Sequence, residues 1–77
     1  MTGSVQTSDG QPLSHVAVYY YDFPNTELMW ITNNQGSFSV SSVCYDQQFA
    51  FVRHGYKEAY FTAKFSEVNV KVTMENE

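Results

Sequence analysis

The sequence predicts an all-β sandwich of seven short strands, and three observations carry the prediction. Apolar and polar residues alternate at period two along most of the chain, most cleanly where Val68, Val70, Val72 and Met74 interleave with Asn69, Lys71 and Thr73. No window carries an apolar stripe at the 3.6-residue period of a helix. Turn-forming clusters separate the alternating runs, at the spacing found in two-layer β folds.

Taken in order, the first strand is expected over Met1–Thr7, with Gly3 and Val5 on one face. Ser8-Asp9-Gly10-Gln11 turns the chain and Pro12 stiffens the exit. The longest strand is expected over Ser14–Phe23, with Val16, Val18 and Tyr20 on one face and Ala17, Tyr19 and Tyr21 on the other. Pro24-Asn25-Thr26-Glu27 should end it, because proline cannot donate to a ladder. A strand over Leu28–Thr32 follows. Either Leu28 and Trp30 or Met29 and Ile31 face inward there, and Trp30 is the preferred reading.

Asn33-Asn34-Gln35-Gly36 forms a hairpin turn, with Gly36 supplying the positive φ of a tight reversal. The return strand is expected over Ser37–Val43, where Phe38 and Val40 alternate with serines, the mark of one buried and one wet face. Gln48–Arg53 carries Phe49 and Phe51 inward, His54-Gly55 breaks it, Tyr56–Ala63 carries Ala59 and Phe61 inward, and Val68–Met74 closes the set. The expected core is Val5, Leu13, Val16, Val18, Tyr20, Phe38, Val40, Phe49, Phe51, Phe61, Val68, Val70 and Val72.

Composition bounds the function. At 77 residues the chain is read as one domain, spanning 1–77 and excised from a larger protein. A net charge of −4 with only four Lys and Arg argues against nucleic-acid partners and against a polybasic membrane contact. No apolar run approaches the ~20 residues that span a bilayer, so no membrane insertion by this segment is expected. Cys44 stands alone, which excludes a disulfide within the chain and leaves a buried thiol or a bridge to another domain.

The turns, set in order, resemble the carboxypeptidase regulatory-like domain, a transthyretin-like (prealbumin-like) Greek-key β-sandwich. The similarity rests on Met1-x-Gly3-x-Val5, Gly10-Gln11-Pro12-Leu13, Val16-x-Val18, Thr32 through Phe38, and Gly55-Tyr56, and covers nearly the whole chain. The segment Ser42-Val43-Cys44 is similar to the corresponding region of the cartilage intermediate layer proteins. The resemblance implies a non-catalytic module of an extracellular or cell-surface protein, serving as spacer or protein-binding platform. It also leaves open an accessory domain beside a metallocarboxypeptidase. One departure matters: the acidic residues usual in the family's hairpin are Asn33, Asn34 and Gln35 here, which keeps the turn but removes the charge a calcium site wants.

Candidate chemistry is thin. Cys44, His15, His54 and Asp46 are the only residues from which a nucleophile–base set or a zinc site could be drawn, and their spacing supplies neither a triad nor short ligand pairs. No catalytic residue, metal or cofactor is therefore expected. Lys57 and Glu58 read as a solvated face or a surface ion pair. The aromatics Tyr19-Tyr20-Tyr21, Phe23, Trp30, Tyr45 and Tyr60 are the strongest functional candidates. Outer-face rings pair across strands, pack on a neighbouring domain, or anchor a partner. Tyr19, Tyr21 and Trp30 form the alternative glycan-stacking platform.

Overall fold

Seven strands follow one another among the described residues: β1 (Thr2–Thr7), β2 (Ala17–Asp22), β3 (Asn25–Ile31), β4 (Ser37–Ser39), β5 (Gln47–Val52), β6 (Ala59–Ala63) and β7 (Val70–Met74). The computed structural model describes residues 1–22, 25–41, 46–64 and 68–77, and no helix occurs among them. A three-stranded sheet has the order β4-β1-β7, with β1 antiparallel to β4 and parallel to β7. A four-stranded sheet has the order β3-β2-β5-β6 and is antiparallel throughout. The chain passes between sheets after β1, β3, β4 and β6, so neighbours in sequence are often partners across the core rather than along a ladder.

Both sheets feed one core, which makes the fold sandwich-like. Val5 of β1 and Met74 of β7 meet Val18 of β2 and Phe49 and Phe51 of β5, all fully buried, and Val16 joins them. Phe38 of β4 reaches across to Phe51 in an edge-on contact with ring centroids 5.3 Å apart. Each such aromatic contributes about 1.5–3 kcal/mol from removal of its surface from water. Tyr20 and Phe61 are only half-buried and pack against this cluster from its margin, as does Ala59.

Two glycines explain why the strands pack this closely. Gly3 lies opposite both Phe38 and Val70, in the middle of the three-stranded sheet. A Cβ there would sit 2.2 Å from the Val70 carbonyl oxygen and 2.8 Å from the Phe38 ring, so only hydrogen leaves room for that ring. Gly36, with φ at +72°, brings the hairpin turn down onto β1, and a Cβ there would lie 2.4 Å from the Val5 carbonyl oxygen. The Val5 amide donates to the Gly36 carbonyl at 2.8 Å, and the Leu13 amide donates to the Val5 carbonyl at 3.0 Å.

Several expectations are corrected. Val68 is 71% exposed rather than core, because Asn69 takes a left-handed φ of +57° and breaks the alternation before β7 begins at Val70. Trp30 shares the inner face with its ladder partner Val18 but is not a core residue: at the edge of the sheet it is 44% exposed, and Met29 is the β3 side chain that packs on the core. The register between β2 and β3 shifts at Val18/Tyr19, where Val18 faces Trp30 and Tyr19 faces Leu28, so Met29 is the extra residue of a bulge. Asn25, Thr26 and Glu27 belong to β3 and not to a turn, since Asp22 pairs with Asn25 and Tyr21 with Thr26.

Three further strands are shorter than their alternation suggests. β2 starts only at Ala17, after His15 has taken a positive φ of 58°. β6 starts at Ala59 because Tyr56 is held instead to the chain's end, with the Lys57 amide donating to the Glu75 carbonyl at 2.8 Å. β4 spans three residues, and the rest of the expected return strand reaches residues 42–43, outside the described residues, as do Phe23, Pro24, Cys44 and Tyr45.

Candidate functional site

The hairpin that carried the sequence motif is a structural clamp. Thr32 is buried, and its hydroxyl accepts the Val16 amide at 2.9 Å while donating to the Leu13 carbonyl at 2.9 Å. Its own backbone exchanges hydrogen bonds with His15 and Val16, each at 3.0 Å. One threonine thus satisfies the irregular entry into β2. Asn33 organises the turn itself: its side-chain oxygen accepts the amides of Gln35 at 2.9 Å and Ser37 at 3.0 Å. An acceptor oxygen is all that this geometry uses of the Asn33 side chain.

The residues considered for nucleophilic or metal chemistry are not assembled by the described structure. His15 and His54 are both exposed, and His15 has its Nδ1 3.1 Å from the neighbouring Ser14 hydroxyl. Asp46 is engaged by Lys64 at 2.7 Å in an ion pair whose side chains are more than half exposed, worth little to stability. Cys44 lies outside the described residues. Among the described residues no three His, Cys, Asp or Glu side chains group as metal ligands.

The aromatics are where side chains converge. On the outer face of the four-stranded sheet, Leu28, Tyr19, Ala50 and Tyr60 form one transverse row, each opposite the next across β3, β2, β5 and β6. Ile31, Ala17 and Val52 form a second row beside it. Ala50 is buried although it faces outward, because the tyrosines lean over its small side chain. Tyr21 and Tyr60 meet above it edge to face, with centroids 6.1 Å apart and planes at 75°. The result is a shallow hollow of about 280 Å3 lined by Tyr19, Tyr21, Thr26, Ala50, Val52, Glu58 and Tyr60.

Of the three rings named for a stacking platform, Tyr19 and Tyr21 line this hollow and Trp30 does not. Residues opposite each other in a ladder share a face, so Trp30, opposite Val18, belongs to the other side of the sheet and emerges at its edge. Tyr60 takes its place. The signal for Tyr60 was its alternation with inward Ala59 and Phe61, and its meeting with Tyr21 depends on Ala50 between them. Glu58, read from sequence as a solvated charge, accepts a hydrogen bond from the Tyr60 hydroxyl at 2.6 Å. That hydrogen bond, with smaller contributions from partial burial and the nearby charge of Glu58, raises the Tyr60 pKa above the ordinary phenol value.

No helix among the described residues is long and apolar enough to cross a membrane. The chain matches no protein-family model and no curated protein sequence.

Proposed function

We propose that this chain is a non-catalytic structural and interaction module, a transthyretin-like Greek-key sandwich of the carboxypeptidase regulatory-like kind, working within a larger extracellular or cell-surface protein. The observation that carries the reading is the apolar and aromatic outer face of the four-stranded sheet, where Leu28, Ile31, Tyr21 and Tyr60 are all exposed. A contiguous patch of this kind on a sheet face is characteristic of a surface that meets another protein. The Greek-key assignment is supported by the return of β4 to lie beside β1 after the β2–β3 hairpin. The family assignment is supported by the steric demands at Gly3 and Gly36, two positions of the quoted motifs.

An accessory role beside a metallocarboxypeptidase is a special case of this reading, with the same face docked on a catalytic neighbour. The glycan alternative draws on one observation, the exposed rings of Tyr21 and Tyr60 beside the polar side chains of Thr26 and Glu58. Hydroxyl-radical footprinting of the intact parent protein separates these readings. Protection of Tyr19, Tyr21, Leu28 and Tyr60 relative to exposed Trp30 is the expected result. Full labelling of the face, together with a hydrolytic activity lost in Cys44→Ala, overturns it.

A further inference from the structure

We infer that the hollow between Tyr19, Tyr21 and Tyr60 receives a cationic side chain, a lysine or arginine of the partner protein, with Glu58 as its counter-charge. The inference rests on the reading of this sheet face as an interaction surface and names what that surface recognises. Three observations lead to it. First, the Tyr21 and Tyr60 planes stand at 75°, which makes a corner rather than the flat platform on which a sugar ring stacks. A corner of aromatic faces suits a compact cation, because each ring presents the negative face of its quadrupole.

Second, the lining carries one formal charge, the Glu58 carboxylate, and no positive group. All four Lys and Arg of the chain are described and are placed elsewhere. Arg53 lies over the Tyr56 ring at 5.5 Å, Lys64 pairs with Asp46, Lys57 lines a neighbouring hollow that Glu58 also borders, beside Thr73 and Glu75, and Lys71 lies on β7 in the other sheet. The lining of this hollow is therefore negative, in a chain whose net charge is −4. Third, Glu58 is already oriented, since Tyr60 donates to its Oε2 at 2.6 Å. Orienting the carboxylate beforehand lowers the ordering cost of binding. The Arg53–Tyr56 contact within the same chain is an internal instance of the interaction.

The test is a titration of the full chain followed by NMR at the Ala50 methyl and the tyrosine rings. The probes are Nα-acetyl-lysine N-methylamide, its side-chain-acetylated form, which lacks the charge, and cellotetraose. The charged lysine probe is expected to move the Ala50 and Tyr60 signals saturably with a millimolar Kd, at least about threefold tighter than the acetylated probe. Glu58→Gln and, independently, Tyr60→Leu should each weaken it about threefold or more. Equal binding of the charged and acetylated probes, or unchanged binding in Glu58→Gln, overturns the inference while leaving the sheet face as an interaction surface. Movement of the same signals by cellotetraose alone overturns it in favour of a saccharide. No movement with any probe also overturns it, and footprinting of the parent protein then decides the surface reading separately.

Discussion

The seam where the turns dock on β1 and the outer face of the four-stranded sheet are built on opposite terms. At the seam, Thr32, Asn33, Gly36 and Gly3 each meet several partners at contact distance, and backbone atoms form most of the walls. On the outer face, side chains meet across strands over a small alanine, and much of each ring remains in water. A backbone wall cannot yield to a larger side chain, whereas an exposed ring can rotate. The seam should therefore answer substitution with loss of stability, and the outer face with loss of binding and little else.

The sharpest test of that contrast is Gly36→Ala. It combines a left-handed backbone with a clash at the Val5 carbonyl, and should cost about 3–5 kcal/mol in urea denaturation. Gly10 has φ at +88° but open space around the position of a Cβ, so Gly10→Ala should cost only about 1–2 kcal/mol. Equal losses at the two positions would show that backbone strain, and not the docking of the turn, sets the cost. Next in size is Thr32→Val, which keeps the shape but leaves the Val16 amide and Leu13 carbonyl without the hydroxyl between them; about 1–3 kcal/mol should be lost in the same measurement.

Asn33 separates the geometry of the hairpin from its charge. Asn33→Ala removes the acceptor for two amides and should cost about 1 kcal/mol, while Asn33→Asp keeps an acceptor oxygen and should stay within about 0.5 kcal/mol in thermal melts. The smallest stability effect belongs to Glu58→Gln, within about 0.5 kcal/mol, as expected for an exposed charge. Its signature is in titration instead. Tyr60 keeps its proton to higher pH than an ordinary tyrosine because Glu58 accepts that proton in a hydrogen bond and repels the phenolate. The glutamine variant should bring its ionisation back toward the ordinary value, read from the tyrosine ring shifts against pH. An unmoved transition would break the link between the two side chains.

How much was legible in the sequence differs between the same two regions. The turn from Thr32 to Phe38 was readable because Gly36 and Asn33 act locally, within the hydrogen-bonding reach of a few residues. Thr32 was readable as a position but not as a clamp, since its partners Leu13 and Val16 lie 19 and 16 residues away. Leu28 and Trp30, read as sharing a face, lie on opposite faces because the bulge at Met29 adds one residue to β3 and reverses the alternation beyond it. Val68 failed for a related reason, as one left-handed residue at Asn69 rotates the strand that precedes the core positions out of register.

By itself the sequence determined the strand class, the turn positions and most of the core, because alternation and turn chemistry are properties of neighbouring residues. Only the tertiary structure decided which strands share a sheet and which residues face each other across it. The row from Leu28 through Tyr19 and Ala50 to Tyr60 draws on four strands whose register is set by pairing between distant segments. Local periodicity says which side of a strand a ring occupies. It cannot say which other ring stands beside it, and that neighbour is what turns Tyr21, Tyr60 and Glu58 into one site.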